Sequence, residues 1–193
     1  MNLSIFDKSV IKTEYQLDWN ILKPIAEKLV STQEQDTLEV NTNTSYFKQK
    51  ETYLLPELQP YYDFIKPLYT EYIFGILNYP KIRDLEIQGS WFSNYHNNGY
   101  IKEHNHPESV AVAVIYIEKT NDMGNLLFKD PYYKYKMKYI RGNDDWLWKE
   151  VKVKSNDVII FDANMWHKSQ PNLTNSDRWI LTTNIGFKNK TIL

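Results

Sequence analysis

Cysteine is absent from all 193 residues, which removes disulfides, thiolate metal sites and cysteine nucleophiles together and fits a reducing compartment. Long apolar runs are missing too. None approaches the roughly 20 residues that a spanning helix needs, and the opening stretch MNLSIFDKSVIKTEYQLDWN has no apolar core behind a basic start. The expectation is a soluble, cytoplasmic protein with no membrane partner. Charge of one sign is also lacking: a formal net charge of −1 creates no global field for nucleic acid, which is therefore not an expected partner. Several catalytic signatures are missing as well. No nucleophile-elbow G-x-S-x-G, dinucleotide-binding G-x-G-x-x-G, phosphate-cradling loop or zincin helix occurs.

What is present is a chain long enough for one well-buried core and too short for two comfortable ones, so residues 1–193 are expected to form a single domain. Aromatic residues reach 15%, with 15 Tyr and 6 Trp, which points to a β-rich interior. Residues 3–14 alternate loosely and suit a first strand. Asp18 stands at an N-cap position ahead of Ile21, Leu22, Ile25, Leu29 and Val30, spaced for a helix. Residues 33–55 are polar and aperiodic, a loop by that measure. Beyond Pro56 the residues Leu58, Tyr61, Tyr62, Ile65, Leu68, Tyr69, Tyr72, Ile73 and Ile76 make a broad helical stripe, with Pro60 shaping its first turn and Pro67 kinking its middle.

From Leu85 the pattern changes to short runs of β-branched and aromatic residues. Strands are expected at about 85–95, 100–106, 110–118, 125–129, 132–141, 146–154, 157–161, 166–169 and 178–187, with turns at Asn97-Asn98-Gly99, Asn121 to Gly124, Gly142 to Asp144 and Ser155 to Asp157. That spacing indicates a mainly β fold of the jelly-roll kind over 85–187, with residues 1–84 as helical support plus the first strand. Segment 132–148 interleaves aromatic and basic side chains. It suits an edge hairpin guarded by lysines, and its place beside the histidines described next makes it a candidate substrate lid.

Three of the four histidines fall into one possible constellation: His104 and His106, in His104-Asn105-His106-Pro107, and the distant His167. Histidines at i and i+2 of a strand share a face, and a third from a neighbouring strand can close a metal site. A strand histidine is by itself more often a hydrogen-bonded core or surface residue. Context favours ligation here, because Pro107 ends ladder donation where a rim would open.

The run Trp91, Gly99, His104-x-His106-Pro107, Tyr116, Gly124-x-Leu126-x-Phe128-x-Asp130-Pro131, Phe161, His167, Pro171, Arg178 and Asn184 resembles the Fe(II)- and 2-oxoglutarate-dependent oxygenase superfamily. It is most similar to a small group whose motif reads H-x-H-P, related more distantly to prolyl hydroxylases. The resemblance covers residues 85–187 and implies a double-stranded β-helix, cupin-like in its jelly-roll form. It also implies Fe(II), 2-oxoglutarate and O2, with hydroxylation of a protein, peptide or small-molecule substrate and release of succinate and CO2. Most of the superfamily has an acid where this chain has His106, so the implied triad of His104, His106 and His167 is neutral. A register shifted to His106, Glu108 and His167 restores an acid, but the spacings to Gly99 and Tyr116 align better with His104 first.

The resemblance also assigns Arg178 to the distal carboxylate of 2-oxoglutarate through a bidentate fork, with Tyr116 and Tyr95 as further donors. Ile180 stands where a small hydroxyl residue is usual, which leaves that role to Thr182. Read structurally instead, Arg178 is a buried cation paired with Asp157 or Asp162, and the tyrosines are core packing. Two other functions stay open on the residues: a cupin-like three-histidine metalloenzyme that does not use 2-oxoglutarate, and a non-catalytic jelly-roll binding module.

Overall fold

The computed structural model describes residues 2–5, 8–30, 38–137 and 144–188. Its frame is a seven-stranded antiparallel sheet facing a smaller three-stranded one. In chain order the strands are β1 (Asn2–Ile5), β2 (Lys8–Glu14), β3 (Glu39–Thr44), β4 (Leu85–Ile101), β5 (Ala111–Glu118), β6 (Leu126–Lys129), β7 (Trp148–Val151), β8 (Asp157–Asp162), β9 (His167–Ser169) and β10 (Arg178–Phe187). The large sheet runs β1-β2-β8-β5-β10-β4-β3 and the small one β7-β6-β9, the arrangement of a double-stranded β-helix.

Alternation along the central strands builds two cores, because successive side chains leave opposite faces of a sheet. Ala113, Ile115 and Ile117 of β5 and Trp179, Leu181 and Ile185 of β10 pack against helices α1 (Trp19–Val30) and α2 (Gln59–Glu71). Val112, Val114 and Tyr116 of β5, with Ile180 of β10, instead meet Leu126, Phe128 and Val151 of the small sheet. Both faces of β5 and β10 are covered, which explains their near-continuous apolar runs. Asp18 caps α1 as expected, its Oδ1 accepting from the Ile21 amide at 3.4 Å. After α2 the chain makes one π-helical turn over Tyr72–Ile76.

Several expected boundaries move. The expected single strand over 3–14 is two, β1 and β2, paired antiparallel, with residues 6–7 outside the described ones. The segment 33–55, read as loop, contains strand β3 and a 3-10 turn at Thr52–Leu54, while residues 31–37 lie outside the described ones. β3 is polar and lies at the sheet edge, so it carries no apolar alternation to betray it.

The separate strands 85–95 and 100–106 are one strand, β4. The Asn97-Asn98-Gly99 signal marks a bulge within it, where Asn98 takes a φ of 60° and the pairing with β3 skips from Tyr100 to Tyr95. Turn-favouring residues accommodate a positive φ whether the chain reverses or only bulges, and here both flanks pair with the same partner. As a consequence β4 ends at Ile101, and His104 and His106 lie beyond it.

The expected hairpin of 132–141 with 146–154 is also corrected. Tyr133–Lys136 is a helical turn, Asp144–Leu147 a 3-10 turn, and only Trp148–Val151 is strand, with 138–143 outside the described residues. Buried Asp130 nucleates the change: its Oδ1 accepts from the Tyr132 amide at 2.8 Å and its Oδ2 binds Lys136.

Candidate metal centre

His104 and His167 are joined by a single antiparallel bridge in which each backbone amide donates to the other's carbonyl, at 3.0 and 2.9 Å. His167 belongs to β9, whose pairing with Phe128 of β6 seats it in the small sheet. His106 is tethered by its own amide to the Ala163 carbonyl at 2.9 Å. These backbone bonds bring three imidazoles together, with one candidate ligand atom from each lying within 4.8 Å of the others. The sharing of one strand face does not produce this; a loop and a bridge do. Glu108 is exposed and outside the cluster, and His96 pairs with Asp177 at 2.8 Å instead.

The ring orientations are set by backbone carbonyls. His104 Nδ1 lies 2.8 Å from the Lys102 carbonyl, and His167 Nδ1 lies 2.9 Å from that of Met165. A carbonyl only accepts, so each Nδ1 is a protonated nitrogen, and in the neutral ring Nε2 keeps its lone pair. Burial, followed by the charge of His104, pushes His106 down to about 3 and holds His167 well below the ordinary imidazole value. Both are therefore neutral near pH 7, the form that ligates.

The same cavity contains Arg178, Tyr95, Tyr116, Ile180, Thr182 and Ser169 beside the histidines. β10 places Arg178, Ile180 and Thr182 on one face by its period of two, and β4 and β5 set Tyr95 opposite Arg178 and Tyr116 opposite Ile180. Arg178 is only 1% exposed. Its Nη1 donates to the Met123 and Gln170 carbonyls, the latter at 3.0 Å, its Nη2 donates to Ser169 Oγ at 2.9 Å, and its guanidinium lies 4.4 Å from the Tyr95 ring centre. Nε is buried without a partner.

Of five guanidinium N–H groups, the Nε hydrogen and one on Nη2 are left over. No carboxylate pairs with Arg178 among the described residues: Asp157 binds Lys12 at 2.8 Å, and Asp162 accepts from the Asn164 amide at 2.9 Å. The purely structural ion pair with Asp157 or Asp162 is thus ruled out.

Tyr95 turns its hydroxyl to Glu39 Oε1 at 3.3 Å, and burial holds both Tyr95 and Tyr116 above the usual phenol range, so both stay protonated donors. The cavity is narrow, about 40 Å³, and walled by Trp91, Ile101, Val114, Leu126 and Ile180. It has room for waters.

Ser169 and Glu39 were not anticipated from the sequence. Ser169 was within reach, since it stands two residues after His167 and so shares its face. Glu39 was not, because it comes from the edge strand that polarity disguised as loop.

The family model for 2OG-Fe(II) oxygenases matches residues 89–184. No match is found among curated proteins. Among solved structures, the chain is similar to HygX from Streptomyces hygroscopicus with nickel and 2-oxoglutarate bound, with a TM-score of 0.63, 10% identity, and coverage of 94% of this chain and 84% of that one. It is similar to a prolyl-4-hydroxylase of Pseudomonas putida, with a TM-score of 0.61, 13% identity and coverage of 93% of each chain. It is also similar to SnoN, an α-ketoglutarate-dependent epimerase from nogalamycin biosynthesis, with a TM-score of 0.64, 11% identity, and coverage of 96% and 80%.

Proposed function

The chain belongs to the 2OG-Fe(II) oxygenase family, and on that premise we propose that it hydroxylates an organic substrate through a neutral triad of His104, His106 and His167. Arg178, Tyr116 and Thr182 hold the far carboxylate of 2-oxoglutarate, with Tyr95 as the platform under the guanidinium. The observation that carries this reading is the buried guanidinium with two unused N–H groups and no acid partner among the described residues, in the same cavity as three converging imidazoles. A buried cation without a counter-ion is costly, and a ligand carboxylate relieves that cost with a charge-assisted fork.

The donor set suits iron, for which neutral imidazole is a common ligand, and His104, His106 and His167 would hold it. Bound iron would supply oxygen activation coupled to oxidative decarboxylation of 2-oxoglutarate to succinate and CO2. The chain's own residues do the rest. His104 and His167 keep their protons on Nδ1, against carbonyls, so that Nε2 faces inward. Ser169 and two carbonyls lock Arg178 in one orientation. Trp91, Val114, Leu126 and Ile180 exclude water from the reacting region.

The primary substrate, a protein, peptide or small molecule, would approach across the segment that begins at Pro131. Tyr133 and Lys134 border a surface groove of about 480 Å³ together with Glu103, Met165 and Trp166, the neighbours of His104 and His167. Lys129 braces that groove by pairing with Glu103 at 2.6 Å while lying 4.1 Å from the Tyr133 ring centre. This supports the lid assignment for the described part of 132–153, in which Tyr133–Lys136 is a helical turn. The deciding experiment is anaerobic absorption spectroscopy with Fe(II) and 2-oxoglutarate, followed by succinate measurement on admitting air. A charge-transfer band and succinate are expected; metal binding without either would favour a three-histidine enzyme that does not use 2-oxoglutarate.

A further inference from the structure

The three imidazoles are not oriented alike. His104 and His167 each donate from Nδ1 to the carbonyl two residues earlier, Lys102 and Met165. For His106 the corresponding carbonyl is that of His104, and it already accepts the His167 amide at 2.9 Å. The bridge that assembles the site therefore already engages the carbonyl that would otherwise serve the middle ring. Trp91 stacks near one face of that ring, with centroids 6.2 Å apart, which restrains its plane without choosing its protonated nitrogen.

Asn184 stands where such an acceptor is needed. It follows Arg178, Ile180 and Thr182 at intervals of two on β10, just before the bulge at Asn184/Ile185, and so continues the cavity face. Across from it on β4 is Gly89, which has no side chain to fill the space. Its Oδ1 is buried with no hydrogen-bond partner. The turn that carries His106 is pinned beside it, the Ser109 amide donating to the His106 carbonyl at 3.0 Å and the Val110 amide to the Ile185 carbonyl at 2.8 Å.

We propose that Asn184 is the positioning residue of His106: its Oδ1 accepts from one ring nitrogen and thereby presents the other to His104 and His167. The inference rests on the metal-site reading above. Its physical reason is specific to this chain. A carboxylate ligand can use either oxygen and has no tautomer to select, whereas an imidazole in the same position ligates only when its second nitrogen is protonated and held. Replacing an acid by His106 thus creates a requirement that Asn184 meets.

The test starts with the metal-free wild-type protein and ¹⁵N-histidine NMR. His106 should be a single tautomer, with its proton on the nitrogen facing Asn184; a proton on the triad-facing nitrogen overturns the proposal without any variant. Asn184→Leu removes the acceptor at similar volume, and Asn184→Asp retains it. Anaerobic titration with Mn(II) should give a roughly 10- to 100-fold weaker Kd for Asn184→Leu, the usual range for loss of an outer-shell partner. Asn184→Asp should return to within a few-fold of wild type. A folded Asn184→Leu protein with unchanged Kd and tautomer refutes the role of Asn184, whereas failure of the wild-type protein to bind Mn(II) refutes the metal site itself.

Discussion

Arg178 offers the most searching perturbation, because the same side chain supports the fold and is proposed to bind the co-substrate. Three of its N–H bonds go to Met123, Gln170 and Ser169, and two N–H groups remain for a ligand. A hydrogen bond to a charged group contributes about 1.5–3 kcal/mol. At 1.4 kcal/mol per decade, its loss weakens 2-oxoglutarate binding roughly 10- to 150-fold.

Arg178→Ala also strands the Met123 and Gln170 carbonyls that currently accept from the guanidinium, each costing about 1–3 kcal/mol if left buried and unpaired, whereas Ser169 Oγ keeps the Ile101 amide at 3.1 Å. The informative pair is therefore Arg178→Gln and Arg178→Lys. Gln can satisfy part of the acceptor set without charge, and Lys retains charge without the planar fork. Both should bind Mn(II) within about twofold of wild type, since the histidines are held by separate backbone bonds. Titration of the Mn(II) form with 2-oxoglutarate should then show Gln losing the full factor and Lys recovering part of it. Unchanged 2-oxoglutarate affinity in a folded, Mn(II)-binding Arg178→Gln protein would show that the buried cation serves only the fold.

Alanine at His104 or His167 should abolish Mn(II) binding measured by calorimetry, and at His106 reduce it severely, while Glu108→Ala should leave it intact because Glu108 is exposed and outside the cluster. If Glu108→Ala binds poorly and His104→Ala normally, the triad is shifted by one motif register. Acid should destabilise the metal-free protein. His106, at about 3, and His167 both lie below the unfolded imidazole value of about 6.5, so the unfolded chain takes up more protons in that window and stability falls as pH drops below about 6.5. Thermal melts at pH 7.5 and 5 should show a smaller drop for His106→Leu than for wild type, and equal drops would contradict the neutral-ring assignment. Replacing residues 132–146 with a short linker should preserve Mn(II) and 2-oxoglutarate binding while weakening substrate-stimulated succinate formation. Loss of folding on that replacement would make the segment part of the core.

Much of the architecture was legible because it is written at short range. Strands β5, β8 and β10 and helix α1 show their periods within a dozen residues, and the face shared by Arg178, Ile180 and Thr182 follows from a period of two. The order of His104, His106, His167 and Arg178 was likewise visible, together with the resemblance those residues carry. Tertiary structure decided what depends on distant partners. β4 is one strand with a bulge because β3 pairs along both sides of Asn97 to Gly99, and nothing local distinguishes a bulge from a turn there. His104 meets His167 through a bridge between segments far apart in sequence, and that bridge engages the His104 carbonyl. Residue type determined which chemistry the chain could host. The backbone carbonyls of Lys102 and Met165 determined which nitrogen of His104 and of His167 is left to perform it.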